Sequence, residues 1–392
     1  DNILFVEYDD LVTDTQAQMD RISEFTGMPL FKHDLDNVPA CTEDDAVWGI
    51  KDLHKVSKKV FKPNFSAKKI LGNKLYNFYQ GGEFWNDKPE PVREAKPIDL
   101  SLEAALRGEH DKSYRILKQE EKADPTDDRL AFNLGWHEME RGNLLAGHKL
   151  LNRGRNENVF GNRDINSNKP KWNGERGVTV LMNLEGGLGD QIHAIRYAKN
   201  IASYGNKVVV SGEASLAPIL KDCEGVSSFS QAEYALGIWH DYWLPAMSAT
   251  VPLNLEYNDL SGVPYIKRTR ASDGKVGIKW AGNPEFEHEQ HRVFSEELMF
   301  DAVGNANCIS LQKDGEVPDW MGKPSLESWE DTRDAISRCD LVISSCTSVA
   351  HLSAAMGIET WIVVPILPYY LWALPGETTP HYDCVKLFRQ TK

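Results

Sequence analysis

Leu184-Glu-Gly-Gly-Leu-Gly-Asp-Gln-Ile-His-Ala-Ile-Arg-Tyr197 joins a cluster of three glycines to a helical pattern, and it decides what kind of fold this chain builds. Ahead of it, Gly177-Val-Thr-Val-Leu-Met-Asn183 is a short run of β-branched and apolar residues, as expected of a buried parallel strand. Gly186, Gly187 and Gly189 then permit a tight reversal and a close backbone approach that side chains would block. Behind them, Ile192, Ile195, Ala198 and Ile201 or Ala202 recur at helical spacing, predicting a helix over 190–203. A strand, a glycine turn and a helix in that order put the turn at the carboxyl end of a strand, where open α/β sheets bind their ligands. The spacing is neither G-x-G-x-x-G nor G-x-x-x-x-G-K-[ST], so it carries neither a dinucleotide fingerprint nor an NTPase phosphate loop. Asp190 has two readings: a helix N-cap that satisfies orphan amides, or a general base at the mouth of a cleft.

The 392 residues are too many for one ordinary core and predict two to four units. A hydrophobic content of 41% with 10% aromatics is that of a folded protein, and the formal charge of -14 argues against a general nucleic-acid or anionic-membrane binder. No stretch approaches the roughly 20 apolar residues of a spanning helix, and the start, Asp1-Asn-Ile-Leu-Phe5, lacks the order of a signal peptide. It begins inside a strand-like run, so a fragment of a longer chain is expected. Six scattered cysteines without a C-x-x-C pair are expected to be free thiols, which together with the missing leader predicts a cytoplasmic protein.

Working outward toward the N-terminus, residues 161–266 are expected to form a first Rossmann-like domain, with a further strand at Lys207–Ser211, a helix over Ser215–Lys221 and further short elements through Asp241–Pro245. Residues 99–160 carry helical periodicity over Leu102–Ala123 and Asp127–Arg153, broken by Asp124-Pro125. Residues 61–98 are rich in Lys, Asn, Gly and Pro and read as a linker. Within residues 1–60, Ile3–Leu11 reads as a strand with an acidic turn, and Thr15–Thr26 as a helix closed by Gly27-Met-Pro29. His54, Lys55, Lys58 and Lys59 read as a solvated face. Toward the C-terminus, residues 275–392 predict a second Rossmann-like domain. Its strands are Lys275–Trp280, Asn307–Gln312, Asp340–Ser344 and Thr360–Pro365, and its helices Ser295–Val303, Ser328–Arg338 and Val349–Met356. Two such halves would leave a cleft between them, a favoured place for a ligand.

Ser344-Ser-Cys-Thr-Ser-Val-Ala-His-Leu352 marks a second strand-to-helix turn. Its helix N-terminus with Ser345, Thr347 and Ser348 would receive a phosphate, although the same hydroxyls also suit helix capping. Lys279 lies within an apolar strand and needs a partner or a cleft for its ammonium. Arg292, in the following loop, is either a second cation for a diphosphate or a surface residue. Glu287, His288, Glu289 and His291 lack the helical H-E-x-x-H pattern, so no metal site and no cofactor is expected.

The motifs LEGGLGDQIHAIRYA, IKWAGNP, SLQ, DAISRCDLVISSCTSVAHLSAAMG, WIVVP and KLFRQ, preceded by KPKWNGE, span Lys169 to Gln390. In content and order they resemble glycosyltransferases linked to tetratricopeptide repeats, relatives of the heptosyltransferases in glycosyltransferase family 9. That resemblance implies an α/β protein of two Rossmann-like domains, the glycosyltransferase B type, with the acceptor at the first and a nucleotide sugar mainly at the second. It implies an inverting, metal-independent transfer to a glycan, lipid-linked or protein acceptor hydroxyl. Asp190 would be the base; Gly187, Gly189 and His193 would form the acceptor-side turn. Lys279, Asn283, Arg292, Ser345, Cys346, Thr347, Ser348 and His351 would meet the donor. The family usually has Asp where this chain has Cys346, so a catalytically inactive nucleotide- or sugar-binding module is an alternative. Ala131-Phe-Asn-Leu-Gly-Trp-His-Glu-Met-Glu-Arg-Gly-Asn143 and Tyr114–Pro125 resemble parts of tetratricopeptide repeats, which would cap the next domain or contact a protein. FVEYDDL, RISEFTGMP and WGIKDLHKV resemble the C-terminal part of sulfotransferases. A small α/β remnant used for packing is expected there, or a fragment of a bifunctional sulfotransferase-glycosyltransferase.

Overall fold

A computed structural model describes residues 3–38, 58–60, 68–69, 76, 96–162, 164–282, 293–304 and 306–390. Two units partition the chain, Asp1–Glu94 and Ala95–Lys392.

In the first unit, helices α1 (Tyr8–Thr13) and α2 (Thr15–Thr26) follow an extended start. The strand expected over Ile3–Leu11 is not formed: its second half is α1, whose first turn carries Asp9 and Asp10. Carboxylates favour the positive end of a helix, and no strand of the described residues pairs with residues 3–7. Gly27 closes α2 with φ 73, a left-handed conformation that glycine adopts without penalty. Lys59 forms an exposed ion pair with Asp36 at 2.5 Å; His54 and Lys55 lie outside the described residues.

The second unit opens with four helices, α3 (Pro97–Leu106), α4 (His110–Ala123), α5 (Asp128–Glu140) and α6 (Leu144–Arg153). The continuous helix expected over Leu102–Ala123 is broken at Gly108, where φ is +75. After Asp124-Pro125, the Asp127 carboxylate caps α5 by accepting the Leu130 N–H at 2.8 Å. Helices α5 and α6 cross at two glycines. A Cβ on Gly135 would meet the Gly147 carbonyl oxygen at 2.8 Å, so neither position admits a side chain without separating the helices. Met139, Leu144 and Leu151 belong to the same buried cluster as Val180, Met182 and Ile192, so α5 and α6 share a core with the first sheet.

That sheet contains β1 (Thr179–Asn183), β2 (Lys207–Gly212), β3 (Val226–Gln231) and β4 (Tyr242–Pro245), all parallel, in the order β3-β2-β1-β4. The helix predicted over 190–203 begins earlier and comes in two pieces, α7 (Leu188–Ala194) and α8 (Tyr197–Ala202), with α9 (Ala217–Leu220) after β2. The second sheet holds β5 (Lys275–Lys279), β6 (Cys308–Ser310), β7 (Cys339–Ser345), β8 (Glu359–Val364) and β9 (Val385–Arg389), also parallel, in the order β6-β5-β7-β8-β9. Its helices are α10 (Glu296–Val303), α11 (Trp329–Ser337) and α12 (Ser348–Ala355). The chain is therefore α/β with two parallel, Rossmann-like sheets. β9 adds a strand to the four that were expected in the second half. No helix among the described residues is long and apolar enough to cross a membrane.

Candidate functional site

Both sheets reverse their strand order beside the strands that carry the candidate residues. In the first, β1 lies between β2 and β4: the chain winds outward through β2 and β3, then returns to the other side of β1. In the second, β5 lies between β6 and β7, and Lys279 pairs in register with Ser344. A strand whose two crossovers leave in opposite directions opens a crevice at its carboxyl end, and ligands of open α/β sheets bind there. The glycine turn follows β1, and the hydroxyl-rich turn follows β7 beside the end of β5.

In the glycine turn, Gly186 has φ +75, and a Cβ there would meet Asp190 Oδ2 at 2.7 Å and Met247 Sδ at 3.0 Å. The helix N-cap is Gly187, so Asp190 occupies the third helical position, where its Oδ2 accepts the Gly187 N–H at 2.8 Å. The N-cap reading of Asp190 is thus corrected to the reciprocal half of a capping box, since glycine has no side chain to complete it. The other carboxylate oxygen, Oδ1, accepts the phenol O–H of half-buried Tyr369. Burial raises the Asp190 pKa above the usual carboxylate value, and the Tyr369 and Gly187 hydrogen bonds draw it partly back. Burial and the Asp190 charge push the Tyr369 phenol well above its ordinary value, so it serves as a hydrogen-bond donor. A carboxylate raised toward neutrality and held by two donors can receive a proton without drifting from its place.

At the second turn, Thr347 is the N-cap of α12, and its hydroxyl shares a 3.1 Å hydrogen bond with Ser344 Oγ. Lys279 Nζ donates to Gln312 Oε1 at 3.1 Å, which also accepts the Ala281 N–H at 3.2 Å. Cys346 is buried, and its Sγ accepts the Trp372 indole N–H at 2.9 Å. The Ser345 hydroxyl is buried without a hydrogen-bond partner among the described residues.

The two turns meet. A Cβ on Gly189 would lie 2.9 Å from His351 Cδ2 and 3.4 Å from Ser348 Cα, so the missing side chain is what lets α7 and α12 touch. Behind this contact the halves are joined by a buried aromatic and imidazole cluster. His193 Nε2 and His381 Nδ1 share a hydrogen bond at 3.2 Å, His351 Nδ1 bonds the Tyr382 hydroxyl at 3.0 Å, and His351 stacks on Trp372 at 5.2 Å. Arg196 crosses the same interface, donating to the His381 carbonyl and to Tyr265 Oη, with its guanidinium 4.3 Å from the Tyr382 ring centroid. Burial drives His351 down to about 3 and His193 and His381 well below their ordinary value, so these rings stay neutral. No cluster of three metal-ligating groups occurs among the described residues.

A cavity of about 1520 Å³ runs along the crevice. Gly187, Gly189, Asp190, Lys279, Cys346, Thr347, Ser348 and His351 line it, whereas His193 and Ser345 sit behind the lining. Asn283, Arg292 and the Glu287–His291 group lie outside the described residues. Helices α3, α4 and α5 complete the wall, and Trp136 on α5 meets the Tyr369 ring edge to face at 5.9 Å. On this side Ser113, His137 and Glu140 form a hydrogen-bonded row: Ser113 Oγ to His137 Nε2 at 2.9 Å, His137 Nδ1 to Glu140 at 3.1 Å. The order matches a nucleophile, base and acid. Ser113, however, lies in the first turn of α4, where its own amide and that of Lys112 are both bonded to the Glu109 carbonyl and so are not offered to an oxyanion. With Ser101 bonded to Ser113 at 2.7 Å, the row ties the three helices together.

Two residues that support the Asp190 turn were not singled out from the sequence. Glu185, almost fully buried, pairs bidentately with Arg155 from beyond α6 and accepts the Asn162 and Met247 amides at 3.0 and 3.2 Å. A carboxylate directly after an apolar strand is the local signal that could have found it. Tyr369 had no such signal, because it meets Asp190 from 179 residues away.

No family model and no curated protein matches the chain. Among solved structures it is similar to the iron-containing dodecameric glycosyltransferase TibC from enterotoxigenic E. coli H10407, with TM-score 0.36, 11% identity, and coverage of 50% of this chain and 59% of that one. It is similar to the E. coli heptosyltransferase WaaC with ADP-2-deoxy-2-fluoro heptose, with TM-score 0.38, 12% identity, and coverage of 54% and 93%. The glycosyl transferase family 9 structure from Veillonella parvula DSM 2008 aligns with TM-score 0.39, 7% identity, and coverage of 58% and 88%. The chain thus spans less than two thirds of the length of TibC, the protein of the first alignment.

Proposed function

We propose that this chain is a glycosyltransferase that moves a sugar from a nucleotide-diphosphate sugar to an acceptor hydroxyl. The observation that carries the proposal is one cavity lined by a half-buried, donor-held carboxylate from the turn after the first sheet's β1 and by a cation and a helix N-terminus from the second half. Asp190 would take the acceptor proton as the acceptor oxygen bonds the anomeric carbon. The bond from that carbon to the diphosphate breaks, its electron pair leaves with the diphosphate, and attack from the opposite face inverts the centre. Lys279, the α12 amides and the Thr347 and Ser348 hydroxyls would stabilise the charge that develops on the leaving group. These groups supply the positive field without calling on a metal, so EDTA should leave the rate unchanged.

Cys346 favours a second reading, a binding module without turnover, because a thiol held by Trp372 stands where the resemblance expects a carboxylate. A panel of nucleotide sugars with and without hydroxyl acceptors, run on the wild type and Asp190→Asn, separates the two. Turnover lost in Asp190→Asn supports the transferase. Equal turnover in both removes the base assignment, and saturable nucleotide-sugar binding without turnover selects the second reading.

A further inference from the structure

The cavity is larger than the roughly 300–1,000 Å³ that commonly holds one small ligand, and its two sides differ in chemistry. Among the described lining residues, the sheet side carries Lys279 and Lys313 together with Asp314 and Glu327, whereas the helical side carries no lysine or arginine; its titratable groups are His110, His137 and Glu140, and Glu140 is paired with both histidines. That helical side also presents the apolar surfaces of Leu102, Phe132 and Trp136, none of which is fully buried. Trp136 touches Tyr369, and Tyr369 holds Asp190, so a molecule whose hydroxyl sits at Asp190 has this helical wall within reach.

We infer that α3–α5 form the acceptor subsite of this enzyme and that it takes an acceptor whose hydroxyl sits on an apolar, unphosphorylated body, with Trp136 as the residue that selects it. A phosphate on the acceptor would meet Glu140 and find no cationic fork among the described residues of that wall. An aryl or alkyl group adjoining the hydroxyl-bearing portion would instead remove aromatic and aliphatic surface from water on both partners. The inference rests on the transferase reading for the identity of the acceptor, but its binding chemistry can be measured without turnover.

The test is calorimetric binding of hexyl β-glycosides of three common hexoses, and of glucose 6-phosphate, to the full chain. The expected result is saturable binding of at least one hexyl glycoside, weakened about tenfold or more in Trp136→Ala and largely restored in Trp136→Phe, with no binding of the sugar phosphate. Because Trp136→Ala could disturb the fold, a second variant, Asn133→Lys, places a cation on the same wall. It should gain affinity for glucose 6-phosphate while retaining the wild-type melting temperature. Failure of every hexyl glycoside to bind, a folded Trp136→Ala with unchanged affinity, or wild-type sugar phosphate binding in competition with the hexyl glycoside would each overturn the inference. If the hexyl glycosides bind as expected but no donor is turned over, the wall assignment stands and the transferase reading fails. Turnover lost in Asp190→Asn with no Trp136-dependent binding would show the reverse.

Discussion

Replacing Tyr369 by Phe removes a single oxygen and leaves the ring that packs against Trp136 and Tyr370. The lost phenol O–H is one of two donors that hold the half-buried Asp190 carboxylate. A hydrogen bond to a charged group contributes about 1.5–3 kcal/mol, so its removal should raise the Asp190 pKa further, because the ionised form loses that stabilisation while burial still disfavours it. Burial already holds that pKa above its unfolded value, so the ionised base is lost as pH falls through the folded pKa. The acid limb of the pH–rate profile should therefore move to higher pH in Tyr369→Phe, with the plateau at high pH retained. The assay is initial-rate transfer over pH 4 to 9 with whichever donor the wild type accepts. The linked stability effect has the opposite direction: ionising Asp190 in the fold costs stability as pH rises from the unfolded pKa toward the folded one. Asp190→Asn should therefore gain on the wild type over that window in urea unfolding. An acid limb that stays in place in Tyr369→Phe, with Asp190→Asn inactive, would refute the idea that this phenol sets the ionisation of the base.

Three further perturbations test the scaffold. Glu185→Ala should destabilise the protein by about 3–5 kcal/mol in urea unfolding, because it removes the buried carboxylate that pairs with the half-buried Arg155 guanidinium and leaves the buried Met247 amide without its acceptor; a change under 1 kcal/mol would show that the pair is solvated. Gly189→Ala should cost about 1–3 kcal/mol and lower nucleotide-sugar affinity, since its methyl group must push His351 and Ser348 away; unchanged stability would mean that α7 and α12 separate freely. His148 and His351 are depressed to about 3, so the unfolded chain takes up protons below about pH 6.5 that the folded chain refuses. Stability should fall by about 2 kcal/mol for each between pH 7 and 5; His148→Leu should recover about that one increment, since the depressed His193 and His381 also add to the fall.

Much of the architecture is legible in the sequence because parallel strands buried on both faces are continuous apolar runs bounded by turn residues. Val180–Met182, Val208–Val210 and Ile343 with its neighbours announce themselves in this way. β3 does not: Val226-Ser-Ser-Phe-Ser-Gln231 is a sheet-edge strand with exposed positions, and its polar composition hides it. The opening residues mislead for the opposite reason. Ile3–Leu11 has strand-like composition, but a strand needs a neighbour to bond, and the acidic pair at Asp9 and Asp10 suits a helix start.

The sequence alone determined that Gly177–Tyr197 is a strand, a glycine turn and a helix, because glycine freedom, apolar runs and helical spacing act over a few residues. It also brought Asp190, Lys279 and Thr347 to the carboxyl ends of strands. Only the tertiary structure decided what surrounds them. The Tyr369 donor on Asp190, the Arg155–Glu185 pair beneath the turn, the Trp372 indole on Cys346 and the helical wall facing the base are contacts between segments far apart in the chain. Local propensity cannot encode such contacts; they follow from which faces two sheets and a helical block bury together.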